Sequence, residues 1–433
     1  LGALLLVPAR ALALNFLGVL AILLGFAAVT PQLTVAAMHL AARPARRLFG
    51  AAGALTVRSV TASLSRTGVA IAVLAMAVAV TVGVGAMIDS FRGSVEDWLE
   101  HTLSADLYAS SVRLTTSRRT APYGPKLRRA LEELEGIDGL NTVRRVELPT
   151  PDGVLRLAAL DLDPRAEASY RITAGRPRAV WEVWRRGEAV LVSEPYAFRH
   201  QVGPGELVEL ATDAGRRNLP IAGIFVDYGS DQGLVLIPRS LYDRLWRDDG
   251  YDAFSLYLAP GADPEQVLRA ARGLAADFPG LVLRSNRELK GYSLEVFDRT
   301  FRITGVLRLL AGGVAFLGVL GALAALQLER RRELGVLRAT GWTPRQVGWL
   351  VVGQTGLMGL AAGLLSLPLG MVLAWIMVAL INRRSFGWSL QLTTTPAILA
   401  EALLLALAAA LLAGLVPARK MAATPPAEAL RGE

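Results

Sequence analysis

The sequence predicts an α-helical membrane bundle of five spans, with a large extracytoplasmic α+β domain inserted between the second and third spans. Hydrophobic residues make up 53% of the chain and the mean hydropathy is +0.40, which is too apolar for an ordinary soluble domain. The apolar residues also fall into long runs separated from one another, whereas residues 92–298 have the composition of a soluble protein. These two observations together give the predicted architecture.

Five apolar runs are long enough for a bilayer, which needs about 20 residues in a helix. We predict spans at 1–30, 68–91, 299–328, 346–381 and 397–416. Between and after them we predict a cytoplasmic basic linker, the inserted domain, a cytoplasmic segment, an extracytoplasmic loop and a cytoplasmic tail, at 31–67, 92–298, 329–345, 382–396 and 417–433. The chain begins with Leu, and we interpret the first span as an extra one that fits the remnant of a first repeat.

The charge distribution sets the predicted orientation and argues against nucleic acid as a partner. Residues 92–298 carry 27 basic and 31 acidic side chains, whereas the rest of the chain carries 19 basic and 6 acidic ones. That basic excess lies beside the spans, in 31–67, 329–345 and the tail, which the positive-inside rule places in the cytoplasm. Arg383 and Arg384 are the exceptions.

The second and third spans are predicted to continue beyond the bilayer as a stalk. No proline interrupts 68–102 or 286–328, so each can form one helix. A helix over 68–102 would be about 50 Å long, against a hydrocarbon core of about 30 Å. The alternative is separate surface helices, with breaks at Gly291 and Gly305. The apolar side chains that we expect to pack between the arms are Ile88, Phe91, Phe297 and Phe301.

The inserted domain shows an α+β pattern, which we interpret as two subdomains. The predicted strands are Thr142 to Leu148, Val154 to Leu160, Ala189 to Val192, Leu207 to Ala211, Leu219 to Phe225, Leu234 to Ile237, Phe254 to Leu258 and Leu281 to Leu283. The predicted helices are 124–135, 238–246 and 263–277, the last with Asp263 as N-cap. Proline near Gly250 is expected to be tolerated as a loop substitution, unlike proline at Phe297.

Candidate chemical sites are few. The chain has no Cys and three His, so we expect no His/Cys metal site, no catalytic residues and no cofactor. It also lacks the phosphate-binding G-x-x-x-x-G-K-[ST] motif, so any ATPase must be a separate subunit. Three groups of residues are favoured as structural: Asp161 and Asp163 as caps rather than metal ligands, Asp227, Tyr228 and Asp231 as a polar turn, and Trp181 and Trp184 as core rather than lipid contacts.

Glycines within the third and fourth spans favour close packing between membrane helices. They lie at 312, 313, 318 and 321, and at 353, 356, 359 and 363. We interpret these positions as structural and not as a substrate site.

One segment, Glu329 to Pro344, reads E-R-R-R-E-L-G-V-L-R-A-T-G-W-T-P directly after the third span. It resembles the E-R-x-x-E-[IL]-G-x-[LM]-[RK]-A-x-G segment of the FtsX-like (MacB/YbbP-type) ABC transporter permease family. The tail, with Pro417-Ala418-Arg419 and a later P-A-E-A-L-R, is similar to the end of that family. The resemblance covers about 55–431 and is looser in the inserted domain.

The resemblance implies a permease of the bacterial cytoplasmic (inner) membrane that is moved by a cytoplasmic ABC ATPase subunit and is not itself an enzyme. Its expected role is mechanotransmission to the outer domain, acting on a lipid, lipoprotein or hydrophobic compound. Membrane lipid and an extracytoplasmic protein are further expected partners. Two alternatives are a signalling regulator that activates a wall hydrolase and a membrane-anchored enzyme. The residues expected to dock the ATPase are Glu329, Arg330, Glu333, Gly335, Arg338 and Gly341.

Overall fold

The computed structural model describes residues 12–62, 64–111, 122–150, 153–329, Val336 and 340–423. The chain divides into two compact units. The first, called here the helical bundle, comprises Leu1–Phe91, Thr300–Ile381 and Gln391–Glu433. The second, called the insert domain, comprises Arg92–Arg299 and Asn382–Leu390.

Helices and strands are numbered in chain order over the described residues. The helices are α1 Leu12–Ala62, α2 Leu64–Thr102, α3 Pro125–Glu132, α4 Pro177–Arg185, α5 Glu194–His200, α6 Arg239–Leu245, α7 Pro264–Leu274, α8 Asn286–Glu329, α9 Pro344–Trp375, α10 Arg383–Phe386 and α11 Pro396–Ala423. The strands are β1 Leu107–Ser111, β2 Ile137–Thr150, β3 Gly153–Asp161, β4 Ile172–Ala174, β5 Val190–Ser193, β6 Leu207–Thr212, β7 Gly215–Phe225, β8 Val235–Pro238, β9 Ala253–Leu258 and β10 Leu281–Ser285.

Four stretches within the described helices are long and apolar enough to cross a membrane. They are Ala13–Arg47, Thr67–Thr102, Pro344–Phe386 and Pro396–Leu415. The third runs through α9, a π-helical segment Ile376–Asn382 and α10. The predicted span 299–328 lies within α8, and its role as a fifth span stays a prediction.

Helix α1 does not end near residue 30, where the sequence suggested a change from span to linker. It continues through Pro31 and Pro44 and is kinked at Gly50, whose φ is 60°. The buried Thr30 and Thr34 hydroxyls donate to the carbonyl oxygens of Phe26 and Thr30, each at 2.8 Å. Pro31 has no N–H and so leaves the Ala27 carbonyl without its helical donor, but the helix continues past it, and the linker begins as a continuation of the helix.

The bundle core combines residues of α1, α2, α9 and α11 that lie close together at small side chains. A Cβ built on Gly359 would lie 2.5 Å from the Ala410 Cβ, and one on Gly370 would lie 2.6 Å from the Val82 Cβ. The predicted close packing at the glycines of the fourth span is therefore confirmed at Gly359. At Gly313 in α8, by contrast, no described atom lies within 4 Å of such a Cβ.

In the described part of the insert domain, ten strands form one sheet in the order β10-β1-β9-β2-β3-β8-β5-β7-β4, with β6 paired to β7. The pairs β3–β8 and β5–β7 are parallel and the other neighbours are antiparallel. The long hairpin of β2 and β3 joins the two halves of the sheet, with Thr142 opposite Asp161 and Thr150 opposite Gly153.

The two halves of this sheet have separate cores. One half is covered on both faces, because alternate residues of its strands point to opposite sides and both sets are buried. Leu157 and Ala159 pack with α5 and α6, while Ala158 and Leu160 pack with α4. The other half packs against α3 and α7. The predicted two subdomains thus correspond to two sets of cores that share one continuous sheet, since β2 pairs with both β9 and β3.

Proline was predicted to be tolerated in the loop near Gly250, and at Gly250 itself this prediction is wrong. The Gly250 N–H donates to Asp248 Oδ1 at 2.9 Å, and the Gly250 carbonyl accepts from the buried Arg239 at 2.7 Å. A Cβ at this position would lie 2.5 Å from Pro122 side-chain atoms. The loop is part of a polar network in which Arg144 pairs with Asp248 and Asp252 at 2.7 and 3.0 Å.

Three structural interpretations from the sequence are confirmed. Trp181 and Trp184 of α4 are 5% and 2% exposed and belong to the core between α4 and the sheet. The Asp163 side chain caps the short 3₁₀ turn Pro164–Ser169 by accepting from Arg165 N. Asp161, by contrast, is not a cap: it ends β3 and pairs with Arg128 at 3.2 Å. Asp227 accepts from Gly229 N at 2.9 Å and closes the polar turn.

Candidate functional site: the paired stalk arms

Two long helices each contribute residues to both units. Helix α2 runs unbroken over 39 residues and α8 over 44 residues. Their parts inside the insert domain, Arg92–Thr102 and Asn286–Arg299, are called here the stalk arms. The helices predicted over 68–102 and 286–328 lie within α2 and α8, and neither helix ends at the alternative break points, Gly291 and Gly305.

The α8 arm begins at a well-defined cap. Ser285 N–H donates to Glu288 Oε2 at 3.0 Å, and Glu288 N–H donates to Ser285 Oγ at 3.2 Å. This reciprocal pair is a capping box, which satisfies two backbone donors at the start of a helix. The hydrogen bond from Ser285 N–H holds the pKa of Glu288 below its ordinary value. Slight burial acts in the opposite direction, and Arg272 adds to the lowering. The helix therefore begins directly at the end of strand β10.

Asn286 ties the two arms together at the end of α2. Its Nδ2 donates to the carbonyl oxygens of Leu103 and Ala105, at 2.6 and 2.8 Å. Its backbone N–H donates to the Asp106 carbonyl at 2.9 Å. One side chain at the start of α8 thus satisfies carbonyls of the segment that directly follows α2. Sequence reasoning missed Asn286, and the S-x-x-E spacing after β10 was the signal that could have located this helix start.

Further along the arms, an exposed ion pair connects the two helices. Arg92 lies 3.3 Å from Asp298, and both side chains are nearly half exposed. Exposed pairs of this kind contribute about 0–1 kcal/mol, so the pair orients the arms more than it stabilises them.

The predicted stalk residues can now be placed. Within the bundle unit, the rings of Phe91 and Phe301 meet edge to face with centroids 5.6 Å apart. Ile88 is half-buried in that unit, and Phe297 is half-buried in the insert domain. The structure therefore brings Phe91 and Phe301 together, and a coupling role for all four residues stays a prediction.

The α2 arm also contacts the turn at the end of β7. The Trp98 and Tyr228 rings are 5.9 Å apart, and Arg171 reaches Asp97 at 3.5 Å. Burial raises the pKa of Tyr228 to about 12, with the nearby Glu194 carboxylate adding to the rise. The phenol is therefore a hydrogen-bond donor at neutral pH.

Most of the predicted ATPase-docking segment lies outside the described residues. Arg330, Glu333, Gly335 and Arg338 are in that group, and of Glu329 only its place at the end of α8 is described. Gly341 has φ 100°, a conformation that favours glycine. Two residues later, Thr343 is the N-cap of α9 and forms a capping box with Gln346.

Comparison with known proteins adds the decisive observation. A family model for the MacB-like periplasmic core domain matches residues 67–274, and a model for the FtsX-like permease C-terminal region matches residues 305–426. An uncharacterised ABC transporter permease protein of Mycobacterium tuberculosis is 38% identical over 418 residues, or 96% of this chain. The chain belongs to the FtsX-like family of ABC transporter permeases. The permease is thus a multi-pass membrane protein whose insert corresponds to the MacB-like periplasmic domain.

Two other relatives are more distant. An uncharacterised ABC transporter permease of Methanocaldococcus jannaschii is 25% identical to this permease, covering 54% of it and 59% of the relative. The lipoprotein-releasing system transmembrane protein LolC of Xylella fastidiosa is 24% identical, covering 64% of the permease and 68% of LolC. The permease spans 49% of the length of its Mycobacterium relative.

Proposed function

We propose that this permease transmits mechanical work from a separate cytoplasmic ABC ATPase to the insert domain outside the membrane. Family membership implies the ATPase subunit, and the permease sequence has no phosphate-binding motif of its own. Closure of the ATPase would move the segment 329–345, and the long helices would carry that displacement outward. In this proposal no substrate needs to pass through a central channel.

The observation that carries the proposal is the continuity of α2 and α8. Each helix is unbroken from residues of the bundle to residues of the insert domain. A continuous helix keeps its hydrogen bonds along its length and can act as a stiff element, whereas a loop at the same place would absorb displacement. Inside the insert domain, Asn286 of the α8 arm bonds to Leu103 and Ala105, which directly follow the α2 arm.

The class of molecule on which the permease acts, called here the client, is proposed from one relative and from the place of the insert domain at the membrane surface. The LolC relative is named as part of a lipoprotein-releasing system, and a domain moved at the membrane surface suits an amphiphile held in the outer leaflet. We therefore propose a lipid, a lipoprotein or another hydrophobic compound as the client.

The docking part of this proposal can be tested by charge reversal. Glu333→Arg combined with Arg338→Glu should abolish co-purification of the ATPase and stimulation of its ATP hydrolysis, because carboxylate and guanidinium partners would then face like charges. The matched control is Glu209→Arg with Arg216→Glu, which reverses an exposed pair in the insert domain. Survival of both readouts in the Glu333/Arg338 variant would contradict docking at this segment.

Transmission is tested on the intact complex with its ATPase. Trapping the closed ATPase as its ADP–vanadate complex should change the amide hydrogen exchange of the insert domain, because that domain would be displaced or strained by the arms. An unchanged exchange pattern in the insert domain, in a complex with full ATPase activity, would rule out transmission.

A further inference from the structure

Part of the segment between α9 and α11 belongs to the insert domain, although both flanking helices belong to the bundle. Residues Asn382–Leu390 group with Arg92–Arg299, whereas the chain before and after them groups with the bundle. This nine-residue segment, called here the strap, would be expected to be a free connection between two membrane helices. Its contacts show instead that it is bound to the insert domain.

Ser389 is the most strongly held residue of the strap. Its hydroxyl lies 2.7 Å from both carboxylate oxygens of Glu194, and its N–H donates to Glu194 Oε2 at 3.2 Å. Its carbonyl accepts from the Tyr228 hydroxyl at 2.7 Å. All three polar groups of Ser389 are thus bonded to insert-domain side chains.

The shape of the strap is matched to the same surface. Gly387 has φ 76° and is buried, and its N–H donates to the Arg383 carbonyl at 2.9 Å. A Cβ on Gly387 would lie 2.9 Å from Pro195 Cα and 3.0 Å from Phe198 Cβ. Only glycine fits both this backbone conformation and this close approach.

Aromatic rings extend the contact from the strap to the α2 arm. Phe386 and Trp388 stack with centroids 4.8 Å apart, and Trp388 meets Tyr228 edge to face at 6.1 Å. Tyr228 in turn meets Trp98 of the arm at 5.9 Å. The single side chain of Tyr228 therefore contacts both the strap and the stalk arm.

Just after the strap, the chain is bound to α2 within the bundle. Thr393 N–H donates to Ser90 Oγ at 3.0 Å, and Ser90 Oγ donates to the Thr393 carbonyl at 3.1 Å. Ser90 is fully buried. Only three residues therefore lie between Ser389, which is bonded to the insert domain, and Thr393, which is bonded to the bundle, and so short a connection has little slack.

We propose that the strap is a third attachment, besides α2 and α8, through which the bundle moves the insert domain. Glu194 and Tyr228 are the residues that hold it, and the attachment persists throughout the transport cycle. This inference rests on the proposed function, because a third attachment matters only if motion is transmitted. It adds that α9 and α11, and not only the two stalk helices, contribute to transmission.

The bond network predicts a measurable protection of one amide. In hydrogen exchange of the intact complex, Ser389 N–H should exchange slowly, and Glu194→Gln with Tyr228→Phe should accelerate it by on the order of tenfold. Tyr292→Phe is the control, because Tyr292 is an exposed ring on the α8 arm that stacks with Arg284. Fast exchange of Ser389 in the unmodified protein would overturn the proposed attachment.

The role in transmission is tested by cutting and restoring the attachment. In Glu194→Cys with Ser389→Cys, the reduced protein should keep its bound ATPase but show less than half of the vanadate-induced change in insert-domain exchange. A short bifunctional thiol reagent should restore that change, because it replaces the lost bonds. Glu209→Cys with Arg216→Cys, across the β6–β7 hairpin, is the matched control and should show the full change with and without reagent.

Three results would contradict the proposed role of the strap. They are no cross-link between the two cysteines, a full vanadate-induced change in the reduced protein, and a cross-linked protein in which that change is not restored. These results differ from the result expected if the proposed function itself is wrong. If no motion is transmitted, the unmodified complex would show no vanadate-induced change in the exchange of the insert domain.

Discussion

The helical bundle and the insert domain are packed by different kinds of side chains. Among the described residues, alanine supplies eight of the sixteen residues in the main bundle core but two of the sixteen in the largest insert-domain core. That second core contains Tyr196, Tyr242 and Trp246 instead. Helices in lipid gain little from burying large apolar groups, so close approach at small residues stabilises them, whereas a domain in water gains from apolar area.

The largest effect on transmission is expected from breaking α8, one of the two helices with residues in both the bundle and the insert domain. Phe297→Pro would remove one hydrogen bond of α8 and clash with the preceding turn, at a cost of about 3 kcal/mol or more. We expect the ATPase to remain bound while the vanadate-induced exchange change in the insert domain disappears.

The matched control for this break is Arg287→Pro, in the first turn of the same helix. Arg287 is exposed and follows the Ser285 N-cap, where a helix needs no N–H donor. This variant should keep transmission, and it replaces Gly250→Pro, which the Gly250 contacts exclude as a neutral control. Full transmission by a stable Phe297→Pro complex would remove the stiff helix from the mechanism.

Small-residue packing of the bundle is tested by Gly359→Leu in α9. A Cβ there would lie 2.5 Å from Ala410 Cβ and 3.0 Å from the Ala406 carbonyl oxygen, so α9 and α11 must separate. We expect a loss of about 1–3 kcal/mol, seen as a lower melting temperature in detergent. Gly348→Leu in the same helix, with no described atom within 4 Å, should melt like the unmodified protein. Equal melting of both variants would contradict the packing difference.

The polar network of the insert domain should respond to Arg144→Ala. This change leaves Asp248 and Asp252 without their guanidinium partner, at a cost of about 2 kcal/mol measured by chemical unfolding. Arg216→Ala, in an exposed pair, should cost less than about 1 kcal/mol. Similar losses in the two variants would show that the network is no stronger than a surface pair.

The same network predicts an acid dependence. Burial alone would raise the pKa of Asp248, but hydrogen bonds from Tyr242, Gly250 N–H and Arg144 bring it below its ordinary 3.8. A depressed folded-state pKa gives stability that is fully present above 3.8 and is lost as the pH falls through the lower value. Arg144→Ala should therefore lose less stability between pH 5 and pH 3 than the unmodified protein does.

The smallest effect on stability is expected at Asp227, where substitution should stabilise the protein and not destabilise it. Burial raises the pKa of this carboxyl, against the hydrogen bond from Gly229 N–H and the charge of Arg145. A raised pKa means that stability is lost as the pH rises from the ordinary value through the folded-state value. Asp227→Asn keeps an acceptor for Gly229 and should raise the melting temperature slightly at pH 7. An equal gain below pH 3.8 would contradict burial of the charge as the cause.

Sequence reasoning located most strands of the insert domain because their alternation and β-branched residues are strong local signals. It missed β1, β4, α4, α5 and the short α10. Strand β1 reads L-Y-A-S-S, and its small polar residues become a strand because β9 and β10 pair with it on both sides. Helix α4 starts at Pro177 and has apolar Val180, Trp181 and Trp184 on one face, a signal that was present but was considered only for the two tryptophans.

The part of the candidate site that depends on uninterrupted helices could be predicted from the sequence. The absence of proline from 68–102 and 286–328 correctly indicated unbroken helices, and aromatic spacing indicated Phe91 and Phe301. Asn286 and Glu194 could not be found in this way, because their bonding partners are distant in sequence: Leu103 and Ala105 for the first and Ser389 for the second.

By itself, the sequence determined the apolar segments, the soluble insert, the long uninterrupted helices and the family, because each depends on local composition, on periodicity or on a contiguous motif. Only the tertiary structure decided that two predicted subdomains share one sheet, that Gly250 is packed and bonded, and that residues 382–390 belong to the insert domain. These features depend on pairings between residues far apart in the chain. Ser389 and Glu194 carry no local pattern that marks them as partners, and their bond forms only because the fold brings them within 2.7 Å.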